Sequence, residues 1–309
     1  MIVEVLVIPG DTGGLTTPLL LIKTAWNLKS IITLFLNHIT GMNTDQAIPI
    51  QYSCYFSRSR EGEQFVPEHV ISYVVSGTIT MNDGTSSFTF TEGDVYFCRR
   101  GQLAKYMKEV GESGEFRSVS IFFDQEMLRN FSAEYGYVSK KHQTDFVVKK
   151  LLPAKVMASY MDSLRAYEQL FASGEGKQLL EVKRKEAILL LIQTYPDLKD
   201  VIFDFSEPGK IDLEAFMNQH YHFNVGLNRF AYLTGRSLST FKRDFEKIFQ
   251  TTPSRWLLLR RLQEAYYLLK EKKKPVSDVY LELGFEDLSH FSYAFKKQYG
   301  VAPSQVSSQ

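Results

Sequence analysis

The stretch FKRDFEKIFQTTP, residues 241–253, returns as FSYAFKKQYGVAP, residues 291–303. Phe241, Phe245, Phe249, Gln250 and Pro253 align with Phe291, Phe295, Tyr299, Gly300 and Pro303 at a constant offset of 50 residues. Aromatic rings four residues apart share one helical face, so each copy reads as a helix with an aromatic keel. Gly235 and Gly284 precede the copies, where glycine can end one helix and turn the chain into the next. Ser237 and Asp287 then supply a side-chain oxygen to cap the following helix. Each copy is therefore expected to be helix, tight turn, helix.

That geometry seats a second helix in a DNA major groove. With the keel turned to the core, the first recognition helix presents Ser239, Thr240, Lys242 and Arg243. The second presents Ser289, His290, Ser292, Tyr293, Lys296 and Lys297. Hydroxyls and arginine suit base edges, while lysines suit phosphate. Between the copies, residues 253–270 predict one helix with Trp256, Leu259, Leu262, Ala265, Tyr266 and Leu269 as its core stripe. A rigid connector would hold the two readers about one DNA turn apart, roughly 34 Å. The competing reading is a bundle whose polar faces are only solvated. Two matched copies on a long connector weigh against it.

The rest of the chain has a different character. Its 309 residues suit two domains, and 44% are hydrophobic, enough for two cores. The net charge is only +1, but it is unevenly spread. Residues 205–309 carry 15 Lys and Arg against 11 Asp and Glu; residues 1–204 carry 21 against 24. Cys54 and Cys98 form neither a metal-spaced pair nor a disulfide framework, which fits a reducing, cytoplasmic setting. Residues 1–41 hold apolar runs at 19–22 and 31–36, interrupted by Lys23, Asn27 and Lys29. No stretch approaches the roughly 18 uncharged residues of a membrane helix. Glu4 and Asp11 argue against a secretory leader, and we expect an extension ahead of a working start at Met42.

Residues 50–125 read as short strands with turn signals, notably residues 73–81 followed by Asn82, Asp83 and Gly84, and point to a small barrel or sandwich. At residues 153–194 the period changes to helical. Met157, Tyr160, Met161, Leu164, Tyr167 and Phe171 form one stripe, and Leu179, Leu180, Ala187, Ile188 and Leu191 form a second. Packing against the strands is the expectation; a homodimer seam is the alternative. The domains are thus 1–41 (extension), 42–195 (sensor or dimerisation), 196–209 (linker) and 210–309 (two helix-turn-helix units).

Several motifs in the last hundred residues carry a family resemblance. They are residues 230–237, Arg261 and Leu262 with Ala265, Leu268 and Leu269, then Gly284, Phe285, Phe291, residues 294–297, Gly300 and Pro303. The chain resembles the AraC/XylS transcription regulators. The resemblance implies sequence-specific binding to double-stranded promoter DNA and activation through RNA polymerase. It places base contacts at Ser239, Lys242 and Arg243, and at Leu288, Ser289 and Tyr293 in the second unit. Two positions depart from the family. Gln250 stands where glycine is usual, and a left-handed cap there would cost about 1–2 kcal/mol. Tyr280 stands where alanine is usual; it would spread the second unit's helices or turn to the surface. Leu288 offers only apolar contact, so the second unit is expected to read bases less closely.

A looser resemblance joins residues 67–69, 73–77 and 92–94 to the cupin-type sensor domain. The expected fold class is therefore α+β and multidomain: an N-terminal cupin-like β-barrel with trailing helices and a C-terminal all-α double helix-turn-helix domain. Glu68 and His69 are adjacent and would point to opposite faces of a strand, and the next histidine is His142. No metal, cofactor or catalytic residue is therefore expected, and a cupin enzyme is the least supported reading. His69, Arg99 and Arg100 are the candidate ligand-binding residues, with Lys105 and Lys108 nearby, against the alternative of a solvated basic loop. The effector would be a small molecule or, alternatively, a protein partner.

Overall fold

The computed structural model describes residues 49–59, 64–141 and 146–307. The expectations for residues 1–41, for the start at Met42 and for His142 lie outside the described residues. Nine strands come first: β1 (Ile50–Tyr55), β2 (Phe65–Val66), β3 (His69–Ser76), β4 (Thr78–Asn82), β5 (Ser87–Thr91), β6 (Val95–Cys98), β7 (Gln102–Leu103), β8 (Lys105–Glu109) and β9 (Phe116–Phe123); a tenth, β10 (Val148–Lys150), follows the first helix. They form three antiparallel sheets, ordered β1-β9-β3-β6-β10, β5-β4-β8 and β2-β7. The strands are thus separate sheets rather than one closed barrel.

The larger sheet is buried on both faces, and its alternation sorts the two cores. Val70, Val74, Tyr96 and Cys98 meet Ile79, Met81 and Phe90 of the three-stranded sheet. Ile71, Val95, Phe97 and Ile121 face helices instead. Those helices are α1 (Gln125–Tyr135), α2 (Lys155–Ser163), α3 (Glu168–Ala172), α4 (Lys177–Thr194) and α5 (Lys199–Ile202). Met157, Tyr160, Met161 and Leu164 lie inside this core with Ala187, Ile188 and Leu191, so both predicted stripes pack against the strands. Helix α1 and strand β10 fall between the expected barrel and the expected helices. Helix α1 has clear local causes: Asp124 accepts from the Met127 amide at 2.8 Å, and Gly136 closes it at φ 72°. Buried Arg184 on α4 ties this corner, donating to Asp124 Oδ2 at 2.6 Å and to the Phe122 carbonyl at 2.9 Å. Residues 196–203, expected as linker, add Leu198, Val201, Ile202 and Phe203 to the same core.

The C-terminal half is entirely helical: α6 (Leu213–His220), α7 (Leu227–Leu233), α8 (Leu238–Phe249), α9 (Pro253–Lys270), α10 (Val276–Glu282), α11 (Leu288–Tyr299) and α12 (Pro303–Ser307). Helix α9 covers the predicted connector. Its buried stripe is Pro253, Leu257, Leu262, Ala265, Leu268 and Leu269. Leu259 is on the exposed side, a correction to the predicted stripe: it sits two residues past Leu257, half a turn round the helix. Phe65 and Leu103 of the small β2-β7 ribbon are buried in this helical core. Among the described residues no helix is long and apolar enough to cross a membrane.

Candidate nucleic-acid interface

Each sequence copy builds the same local structure. In the first, α7 ends at Thr234, whose buried hydroxyl donates to the carbonyls of Phe230 at 2.8 Å and Ala231 at 3.1 Å. Gly235 turns the chain at φ 65°, and Ser237 Oγ accepts from the Thr240 amide at 3.3 Å to start α8. In the second, Gly284 turns at φ 76°, and Asp287 Oδ1 accepts from the His290 amide at 2.6 Å to start α11.

The keels are the hydrophobic anchors. Phe241, Phe245, Phe291 and Phe295 are fully buried. Trp256 near the start of α9 packs on Phe245 and Phe249 with centroids 5.6 and 4.7 Å apart. Tyr266, ten residues on, packs on Phe295 and Tyr299 at 6.3 and 4.8 Å. One rigid helix thus grips both keels at points about 15 Å apart along its axis.

The polar faces point outward. Ser239, Lys242 and Arg243 are exposed on α8; Thr240 is half-buried because its hydroxyl joins the Ser237 cap. On α11, Leu288, Ser289, His290, Tyr293, Lys296 and Lys297 are all exposed. The offset of 50 pairs Ser239 with Ser289 and Arg243 with Tyr293. It also pairs Leu288 with Leu238, which the sequence reading left out although the repeat itself contains it. The two leucines are 43% and 41% exposed, each the first residue of its helix.

Both departures find a place. Gln250 does adopt the left-handed cap at φ 54°, and its side-chain amide donates to the Lys247 carbonyl at 2.8 Å. Gly300 makes the matching cap at φ 77°. Tyr280 lies half-buried at the core edge, its ring 6.4 Å from Phe291.

Two residues outside the predicted set hold the units in place. Arg236 in the first turn donates to Asp244 at 3.2 Å and to the Ile211 carbonyl at 3.1 Å, binding the turn to both the recognition helix and the incoming chain. Its hydrogen bond holds the Asp244 carboxyl below the usual range. Arg261 on α9 donates to the carbonyls of Tyr221 at 2.7 Å, Phe223 at 2.7 Å and Gly284 at 3.0 Å. Burial brings Arg261 down to about 10, still a cation at neutral pH. Arg261 was legible as a family motif, but its role was not, because the carbonyls it joins are far away in sequence.

The candidate ligand residues of the sheet domain disperse. His69 is buried, stacked on Phe97 at 5.4 Å, and its Nδ1 accepts from the Arg100 amide at 3.2 Å. Burial, then the charges of Arg100 and Arg99, press it down to about 3, so it stays neutral. The Arg99 amide donates to the Val147 carbonyl. Arg100 reaches Tyr232 Oη at 3.2 Å and the carbonyls of Asp204 and Ser206 at 3.4 and 3.2 Å, so its guanidinium joins the two halves of the chain. Lys105 donates to the Glu282 carbonyl at 2.5 Å, while Lys108 lies 4.1 Å over the Tyr55 ring. No group of three or more metal-ligating side chains gathers among the described residues.

A pair of capped recognition helices on one connector, beside a sheet-based regulatory half, defines a class of transcription regulator. The helix-turn-helix domain family matches residues 230–309, and the ExsA N-terminal regulatory domain family matches residues 69–201. The chain thus carries a helix-turn-helix DNA-binding domain behind an ExsA-type N-terminal regulatory domain, the arrangement of an AraC-type regulator. Among similar proteins, the HTH-type transcriptional regulator ExsA of Pseudomonas aeruginosa is 24% identical over 257 residues, 82% of this chain and 91% of its own length. The virulence regulon transcriptional activator VirF of Yersinia enterocolitica is 24% identical over 248 residues, 75% of this chain and 86% of its own. The crystal structure of ToxT from Vibrio cholerae covers 84% of this chain and 98% of its own at 12% identity, with a TM-score of 0.36.

Proposed function

We propose that this protein activates transcription in the cytoplasm by placing α8 and α11 in successive major grooves of promoter DNA, under the control of its sheet domain. The observation that carries the reading is the repeated exposed face. Ser239, Thr240, Lys242 and Arg243 on α8, with Leu288, Ser289, His290, Tyr293, Lys296 and Lys297 on α11, lie opposite buried keels gripped by one helix. Leu238 joins this set. Activation is supported by the similarity to an activator over most of the chain, and contact with RNA polymerase is the route by which it would act. The weaker second reader is supported by α11, where Tyr293 stands at the position of Arg243; Leu288 does not separate the two readers, because Leu238 holds the same place on α8.

Control comes from an effector or from a protein partner, with a homodimer as a further arrangement. The protein reading gains support from the space between the two main sheets, which Val70, Val74, Phe116, Ile79 and Phe90 fill. Metabolites carried through purification of the full chain would favour the small-molecule reading. Selection from random DNA with the full-length protein tests the DNA reading. It should return two half-sites about one helical turn apart. Enrichment of no site, or of a single half-site, would sink it.

A further inference from the structure

Among the places where the sheet domain meets the DNA-binding domain is a short loop, residues 221–224, between α6 and α7. That loop leads into the first helix-turn-helix unit and also touches the second. Gly284, at the second unit's turn, sits so close that an added Cβ would lie 2.7 Å from the His222 carbonyl oxygen. Arg261 binds the carbonyls of Tyr221, Phe223 and Gly284 together. The sheet domain adds its own contacts. The Asn224 amide donates to Gln64 Oε1 at 2.8 Å. Gly84, at the β4-β5 turn, leaves only 3.1 Å between an ideal Cβ and the Phe223 ring. Lys105, first residue of β8, lies 5.2 Å over that ring and donates to the carbonyl of Glu282 in α10.

Lys105 therefore touches both units at once, the first through Phe223 and the second through Glu282. It is an expensive residue for the purpose. The side chain is half-buried, with the cation Arg261 nearby, and burial followed by that charge lowers it to about 7. An apolar residue would join two domains at less cost. What a lysine adds is a directed hydrogen bond to one backbone carbonyl.

We propose that Lys105 is a positioning residue for DNA binding: its grip on Phe223 and Glu282 lets the sheet domain fix the separation of α8 and α11, and so the half-site spacing the protein accepts. This rests on the two-reader function proposed above. The test measures binding of the full-length protein to operators whose half-sites are moved apart or together by one to three base pairs. One added base pair shifts a half-site by about 3.4 Å and rotates it by about 35°. Wild type should lose about tenfold in affinity on a one-base-pair change, Lys105→Arg should behave alike, and Lys105→Met should narrow the loss to about threefold or less. Gln64→Ala, which loosens the same loop without touching Lys105, should also flatten the profile and covers the case in which Lys105→Met does not fold. A folded Lys105→Met protein with the wild-type spacing profile would overturn the proposal, as would an unchanged profile in Gln64→Ala should Lys105→Met not fold. If wild type binds half-sites at every spacing equally, the two-reader function itself falls, and this assignment with it.

Discussion

Gly284→Ala should destabilise the DNA-binding domain by about 2–4 kcal/mol, and most of that loss should come from one collision. Gly284 and Gly300 have almost the same φ, 76° and 77°, but different surroundings. An alanine in this left-handed region is strained by about 1–2 kcal/mol. The stiffer unfolded chain returns about 0.4–1 kcal/mol. At Gly300 nothing lies within 4 Å of an added Cβ, so Gly300→Ala should cost about 1 kcal/mol or less. At Gly284 the Cβ would meet backbone on three sides: His222 O at 2.7 Å, Asn224 N at 3.1 Å and Phe223 C at 3.3 Å. Backbone held by Arg261 cannot move aside cheaply, and overpacking of this kind adds about 1–3 kcal/mol. Urea unfolding followed by Trp256 fluorescence, in a Trp26→Phe background, reads the domain that contains the collision. With a slope near 1 kcal/mol/M, the two alanine variants should differ in midpoint by about 1–3 M. Equal midpoints would refute the steric argument and with it the close approach of the two units.

Arg243→Ala should weaken specific binding by about 1–3 kcal/mol and relax preference at one base pair; an unchanged selected site and affinity would remove Arg243 from base reading. Lys296→Ala should weaken binding to all sequences and reduce the salt slope by about 0.9, which a titration of affinity against salt checks directly. Gln250→Gly should leave DNA binding intact and raise stability by up to about 1 kcal/mol, because it removes left-handed strain and gives up only the exposed bond to Lys247; a destabilised variant would contradict this. Glu68 offers a pH test. Burial first, then the Asp124 carboxylate, raise it from the ordinary 4.5 to about 7, and its Oε2 has no hydrogen-bond partner. A carboxyl raised in the fold favours its protonated form, so its ionisation penalty is absent below about 4.5, grows through the interval and is complete above 7. Glu68→Gln should therefore raise the melting temperature at pH 8 and much less at pH 5; an equal gain at both would show that ionisation is not the cause.

How far the fold was legible follows from the range of the forces involved. Caps, turn glycines and keels act within a few residues, so Ser237, Asp287, Gly235, Gly284 and the six keel aromatics were readable, as was the extent of α9. Helix α1 also carried a local signal in Asp124 and Gly136, passed over because no long apolar stripe accompanied it. Leu259 misled because an apolar residue on a polar face obeys no period. In the candidate site, the outward residues of α8 and α11 followed from the keel by geometry, except Leu288, which the family resemblance supplied, and Thr240 and Ser292 are half-buried. Leu238 needed only stricter use of the repeat.

The sheet domain shows the opposite. Lys105, Arg99, Arg100 and Lys108 looked like one basic cluster, but Lys105 and Lys108 are three apart on β8 and so take opposite faces, while Arg100 turns to Tyr232, Asp204 and Ser206. His69, read as a candidate ligand residue, is buried against Phe97, and burial first, then the charges of Arg100 and Arg99, lower it to about 3. The chain's own pattern determined that two capped aromatic-keeled helices exist and which sides they turn outward, since residues three and four apart decide both. Only the tertiary structure decided that both turn glycines are points of close contact, Gly235 with the chain at Gly209 and Gly284 with His222, and that Lys105 and Arg261 both close on Phe223 of one loop. Those contacts join residues from about 20 to more than 100 positions apart, and no local rule of side-chain spacing constrains which distant carbonyl a buried cation will meet.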